Sequence, residues 1–320
     1  MGKPFLTIDQ QVALLESRGV STDGSTGPVL LREGYYSIVN GYKDPFIDSE
    51  KTTLAKDDRF IEGTSFSAIY DLFAFDRELR GITFRYLIKA EAAARTAIAY
   101  CFSEAHSDPN DYLSVSNFCT EEEYKRMGNN PSRYSQEIAG LINVLSARAS
   151  NSRTGFIEHY RNAYGAVPLW VLANDLTFGN LEHFYNLMKP SEQRAFCKAL
   201  AKSTGRLGGS RLGHFDVADA RVSLEVLVKF RNICAHDERL YCARVGGRKA
   251  ISYGKMVWKL ERFLTDEDFH SFLTEFLSLI DGSFGHDRAF AHVLRESGFP
   301  DIASEMRKRQ DQLTGDASSA

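Results

Sequence analysis

"FSAIYDLFAFDRELRGITFRYLIKAEAAARTAIAYCFSE" (residues 66–104) decides the fold class. Its apolar residues recur three and four apart over nearly forty positions, the period of a helix face, and clean strand alternation is almost absent from the whole chain. Gly81 is the residue at which this helix is expected to bend. On the N-terminal side, Thr7 or Asp9 caps a first helix through Val12, Leu14 and Leu15, which Gly19 stops. A polar loop, "STDGSTGP" (21–28), leads to "VLLREGYYSIVNGY" (29–42), read as one short helix ended by Gly41 and Pro45.

On the C-terminal side, residues 108–131 are turn-rich, and 132–149 and 155–164 read as helices. Pro168 suits the first turn of one further helix, "PLWVLANDLTFGNLEHFYNLM". "TGRLGGSRLGHF" (204–215) is a Gly-rich basic loop, followed by a helix from about Asp216 to His236. "RVGGRK" reads as a short hairpin or turn. Two or three helices then occupy the stretch from Lys255 to about Ser297, and Phe299-Pro300 begins a final turn. The expected architecture is all-α, a helical bundle. An N-terminal helical subdomain spans 1–60, the main helical domain 61–300, and a partly disordered tail 301–320.

The 320 residues are 43% hydrophobic, enough to bury a sizeable core. The net charge of −3 gives no global basic signal, so any nucleic-acid contact must be a local patch. Five cysteines, an odd number with no Cys-x-x-Cys, argue against a zinc site and a disulfide scaffold. No metal or cofactor is expected, and a reducing cytoplasm fits. "MGKPFLTIDQQ" reads as neither a signal peptide nor a myristoylation signal, and no apolar run approaches the length of a membrane span.

Chemistry concentrates in "VKFRNICAHDERL" (228–240). On a helical wheel Arg221, Glu225, Lys229, Asn232 and His236 fall within about 80° of one another and form the polar face. Arg231 lies in phase with Leu224 and Leu227, beside that face. A guanidinium in line with an apolar stripe is costly unless it snorkels out or has an anionic partner. Asn232 and His236, four apart, project together. Two copies about a two-fold axis would bring two arginines, two asparagines and two histidines to one groove.

Such a set suits metal-free cleavage of RNA. A ribose 2′-OH attacks its own phosphate, histidines serve as base and acid, and an arginine fork neutralises the phosphoryl charge. The candidate catalytic residues are therefore Arg231, Asn232 and His236. An arginine with four to six residues before a histidine occurs again at Arg153 and His159, and read without context Arg231 is an ion-paired helix-terminal arginine and His236 a helix C-cap.

"FRNICAHDERLY" resembles the Arg-x4-His motif of HEPN-superfamily proteins. "QVALLESRGV", "LLREGYYSIVNGYKDPF", the 66–104 helix, "FIEHYRNAYGAVPLWVLANDLTFGNLEHFYNLM" and "SGFP" are similar, in the same order, to blocks of the Abi-like abortive-infection proteins of bacteria, of the AbiD/AbiF type. The resemblance implies a HEPN bundle, a homodimer pairing the two motif helices, and a toxin-like role in phage defence. It also implies a metal-independent endoribonuclease with RNA, not DNA, as substrate. The alternative is a non-catalytic module binding a structured small RNA or a protein partner.

Other residues carry two readings each. Asp76 with Arg80, and Glu91 with Arg95, are helix ion pairs by spacing; Glu91 and Arg95 also qualify as support for the site. His159 is a second support candidate, though its phase near Phe156 and Tyr160 favours a packed histidine. Arg206 and Arg211, on the loop before the motif helix, and Lys229 on its polar face are candidate RNA contacts; the loop lacks the Gly-Lys-Ser/Thr ending of a nucleotide-binding loop. Tyr35, Tyr36, Tyr42 and Phe46 read as core or subdomain interface before base stacking. A third reading makes Tyr241 of "DERLY" a target of covalent modification.

Overall fold

Local signals account for most helix ends. In the computed structural model, which describes residues 4–205, 215–246, 250–283 and 287–317, α1 (Ile8–Ser17) starts at Thr7. The Thr7 hydroxyl accepts from the Gln10 amide, and the Gln10 side chain accepts from the Thr7 amide. The second helix, α2 (Thr26–Glu33), stops earlier than its apolar pattern suggests. Gly34 takes a φ of +85°, open to glycine at little cost, and a π-helical turn over Tyr36–Asn40 follows. After α3 (Ser49–Ala55) comes α4 (Phe66–Ala105), forty residues without interruption at Gly81.

Next come α5 (Glu121–Arg126), α6 (Tyr134–Asn151), α7 (Gly155–Tyr164), the one-turn α8 (Leu169–Leu172) and α9 (Phe178–Leu187). The single helix expected from Pro168 is thus two. Thr177 forms a reciprocal capping box with Asn180 and restarts the helix after an extended Leu176. Then come α10 (Pro190–Ser203), with proline in its first turn, and α11 (Val217–Ala235), whose N-cap Asp216 accepts from the Asp219 amide.

β1 (Arg244–Val245) and β2 (Ile251–Ser252) pair antiparallel, Arg244 opposite Ser252, in the stretch read as a hairpin. The chain ends with α12 (Tyr253–Leu260), α13 (Asp266–Ser283), α14 (Arg288–Glu296) and α15 (Phe299–Ala317), which carries the turn read at Phe299 on for nineteen residues. The fold class is all-α. Among the described residues no helix is long and apolar enough to cross a membrane.

The chain forms two compact units, and it passes from one to the other inside α4. The first comprises residues 1–83, 237–243 and 270–320; the second comprises 84–236 and 244–269. In the first, Phe75 meets Phe290 and Phe299 edge-on at centroid distances of 6.0 and 5.2 Å, within a core that includes Leu72, Leu79 and Leu240. In the second, Phe102, Phe118 and Phe184 form a buried triangle with centroids 5.0–5.4 Å apart. Each such ring contributes roughly 2–3 kcal/mol by burial.

Within the second unit α11 packs on α9 and α12, burying Leu224, Leu227 and Phe230. All five cysteines are free. Burial pushes the thiols of Cys101 and Cys197 up to about 11 and that of Cys119 up to about 12.

Candidate functional site

The apolar side of α11 holds the helix down, and its other side is left to solvent. Glu225, Lys229, Asn232 and His236 are all exposed, as the wheel predicts. Arg221 leaves this stripe: its guanidinium donates to the Met127 carbonyl and to Asn129 Oδ1, tying the start of the helix to the end of α5. His236 caps the C-terminus, its amide bonded to the Asn232 carbonyl at 2.9 Å. Its imidazole has no hydrogen-bond or ion-pair partner among the described residues.

Arg231 has the anionic partner that its phase demands. Its Nε donates to Glu91 Oε2 at 3.3 Å, and the other Glu91 oxygen accepts from Arg95 Nη2 at 2.8 Å. Glu91 is only 6% exposed, against 27% for the Arg231 side chain. One buried carboxylate therefore carries two arginines whose side chains are partly exposed to water. Arg231 Nη1 also reaches Asn232 Oδ1 at 3.3 Å, joining the arginine to the exposed face.

The fold thus assembles Glu91, Arg95, Arg231 and Asn232 into one contact network, with His236 one helical turn beyond Asn232. Lys229 lies on the same face but is engaged by Glu225 at 2.5 Å. Beneath them, Glu182 of α9 accepts from Asn186 at 2.6 Å. Burial holds its carboxyl above the ordinary value, and the charge of Glu225 adds to that.

His159 is not the packed histidine its phase suggested. It is exposed, and among the described residues its ring neighbours are Tyr160 and Tyr164, each at 6.0 Å, so it does not join the Arg231 network there. Arg206 and Arg211 lie outside the described residues. Among the described residues no group of three or more His, Cys, Asp or Glu side chains is placed to hold a metal ion.

The first unit contains a network that spacing reduced to a helix ion pair. Asp76, 0% exposed, accepts from the Tyr42 hydroxyl (2.8 Å), Arg80 Nη1 (2.8 Å) and the amides of Leu240 (3.0 Å) and Tyr241 (2.6 Å). Arg80 also binds the Asp237 carboxylate and the Glu238 carbonyl. Asp237 has a φ of +58°, the left-handed region that glycine, asparagine and aspartate accept more readily than other residues. Asp76 and Arg80 thus pin residues 237–241, the segment that directly follows His236.

Tyr241 is buried, 6% exposed, and stacks on Tyr42 at 6.1 Å. Burial raises its phenol well above the ordinary value. A modifying enzyme cannot reach this hydroxyl in the folded chain, which overturns the reading of Tyr241 as an exposed target. Tyr42 and Phe46 are core, whereas Tyr36 is 79% exposed.

A family model described as Abi-like protein matches residues 28–242. The chain belongs to the Abi-like family. The match covers well over half of the sequence. It takes in Asp76, Arg80, Glu91, Arg95 and the whole of α11, so the Abi-like region contains both networks; α12 to α15 lie beyond it. No curated protein and no solved structure matches this Abi-like chain.

Proposed function

We propose that this Abi-like protein is a HEPN-type endoribonuclease, of the AbiD/AbiF kind, acting in abortive infection. Family membership supports the defence role. One observation carries the enzymatic reading: an unpaired, exposed His236 shares the solvent face of α11 with Asn232, and Asn232 is touched by Arg231, which a buried carboxylate holds in place. The Glu91 carboxylate, shared with Arg95, fixes the place of the Arg231 fork, and a fixed fork is what stabilising a developing phosphoryl charge requires.

His236 takes the proton of the ribose 2′-OH, whose oxygen attacks the adjacent phosphorus. The P–O5′ bond breaks, and the leaving oxygen receives a proton from the second imidazole of a homodimer. The products are a 2′,3′-cyclic phosphate and a 5′-hydroxyl. Arg231 faces the charge gathering on the phosphoryl oxygens, and the Asn232 amide orients the phosphate. One α11 end holds one imidazole, so the two-histidine chemistry draws on two copies of the chain.

The test compares wild type with His236→Ala on single-stranded RNA, with toxicity in cells beside RNA ends in vitro. Wild type should cut in the presence of chelator, leave cyclic-phosphate ends and spare RNA carrying a 2′-deoxy at the scission site. His236→Ala should lose both toxicity and cleavage. Magnesium-dependent scission, or an unchanged effect of His236→Ala, overturns the mechanism.

A further inference from the structure

The second unit holds a groove of about 490 Å³ between the C-terminal half of α4 and α8. Its walls are Tyr100 and Trp170, 58% and 52% exposed, and polar groups of Arg95, Ser103, Glu104 and Asn174 line it. The volume lies in the range of small-ligand clefts. Two large aromatic side chains left half in water around one groove are a surface waiting for a partner.

The charges say what kind of partner. Arg95 shares Glu91 with Arg231, and Glu104, which accepts from the Tyr100 hydroxyl at 2.9 Å, sets a negative charge in the same groove. A phosphate would meet that carboxylate as well as Arg95, whereas a flat, uncharged heterocycle gains contact with two half-exposed aromatic side chains. Its edge can be read by polar groups. The Ser103 hydroxyl has no partner among the described residues. Asn174 donates to the Trp170 and Val171 carbonyls at 3.1 and 3.3 Å, which leaves its own carbonyl to accept. Arg95 Nε is buried without a hydrogen-bond partner, so this side chain is not fully satisfied within the fold.

The groove is also continuous with the motif helix. Arg95 lines it and shares Glu91 with Arg231, so a single carboxylate separates the groove from the guanidinium assigned to the scissile phosphate. We propose that this groove is a nucleobase site for single-stranded RNA. It stacks one base on Trp170 and Tyr100 while the backbone runs along α4 past Arg95 toward a phosphate at Arg231, an inference that rests on the nuclease reading. The groove then sets base preference next to the cut, and α11 performs the chemistry.

The chain has two tryptophans, Trp170 and Trp258, which permits a direct test. In H236A/W258F protein Trp170 is the sole tryptophan and cleavage is silenced. Saturating single-stranded oligoribonucleotide should quench its emission. In the cleaving background W170A should raise KM about tenfold with a smaller change in kcat, and W170F, which keeps a stacking face, should restore most of the loss.

RNA that binds by anisotropy without altering Trp170 emission, and is cut by W170A at unchanged KM, overturns the base site while leaving the nuclease reading intact. A W170A protein that sediments as monomer where wild type is a dimer assigns the groove to contact between copies, and also overturns it. If wild type neither binds nor cuts RNA, the nuclease reading itself falls and the base site with it.

Discussion

Glu91 and Arg231 stand 140 positions apart in the chain and meet at 3.3 Å, Oε2 to Nε, with the carboxylate almost wholly buried. Arg95 holds the second oxygen. A buried carboxylate with two cationic partners is a firm support, because losing both would leave its charge buried and unpaired.

Removing that support should uncouple fold from activity. Glu91→Ala frees both guanidinium groups to rotate into water, so the loss of stability should stay near 1–2 kcal/mol. RNA cleavage should fall about 10–100-fold, since Arg231 no longer has a fixed place. Glu91→Gln retains the volume and one acceptor, and should fall between. Cleavage rates beside thermal melts check this; unchanged cleavage by Glu91→Ala removes Glu91 from the site.

Asp76→Asn should be the most damaging single-atom change in the first unit. All four groups facing the carboxylate are donors. An amide must turn its own N–H₂ toward at least one of them, at a cost of about 2–4 kcal/mol. Denaturant unfolding measures the loss. Hydrogen exchange at the amides of Leu240 and Tyr241 should accelerate with it, and wild-type protection there counts against the clamp.

Glu182→Gln tests the electrostatics under α11. Burial raises the folded carboxyl above its ordinary value of 4.5, so the folded state binds this proton more tightly than the unfolded chain. The stability it contributes is complete below pH 4.5 and is lost as pH rises through the folded value. Gln stays neutral and keeps an acceptor for Asn186. The variant should melt higher than wild type at pH 8, and the gap should close by pH 4. A gap that widens on acidification reverses the assignment.

Gly81→Ala should stabilise the protein. Gly81 lies inside α4 with helical backbone, is exposed, and a Cβ built there meets nothing within 4 Å. Alanine is favoured in a helix interior by about 1 kcal/mol. A higher midpoint at unchanged denaturant slope is the expected result; a lower one means α4 needs flexibility at this point.

Much of the candidate site was legible in α11 alone. Glu225, Lys229, Asn232 and His236 form the exposed stripe the wheel draws, and the misfit of Arg231 against Leu224 and Leu227 announces an anionic partner. Nothing local says which of 42 acidic residues answers. Spacing paired Glu91 with Arg95 correctly and left its second partner open. It misled at His159, because proximity to Phe156 and Tyr160 along α7 does not decide whether that face is covered.

Apolar period, N-cap residues and helix-stopping glycines were enough, without coordinates, to determine the helical class and most helix starts. They act within one or two turns and are written in adjacent residues. Only the tertiary structure decided that Asp76 collects the amides of residues 240 and 241. It alone joined 237–243 and 270–320 to the N-terminal unit and set a half-exposed tryptophan beside Arg95. Those pairings depend on the path of the backbone through space, which the sum of all packing choices determines and no local preference encodes.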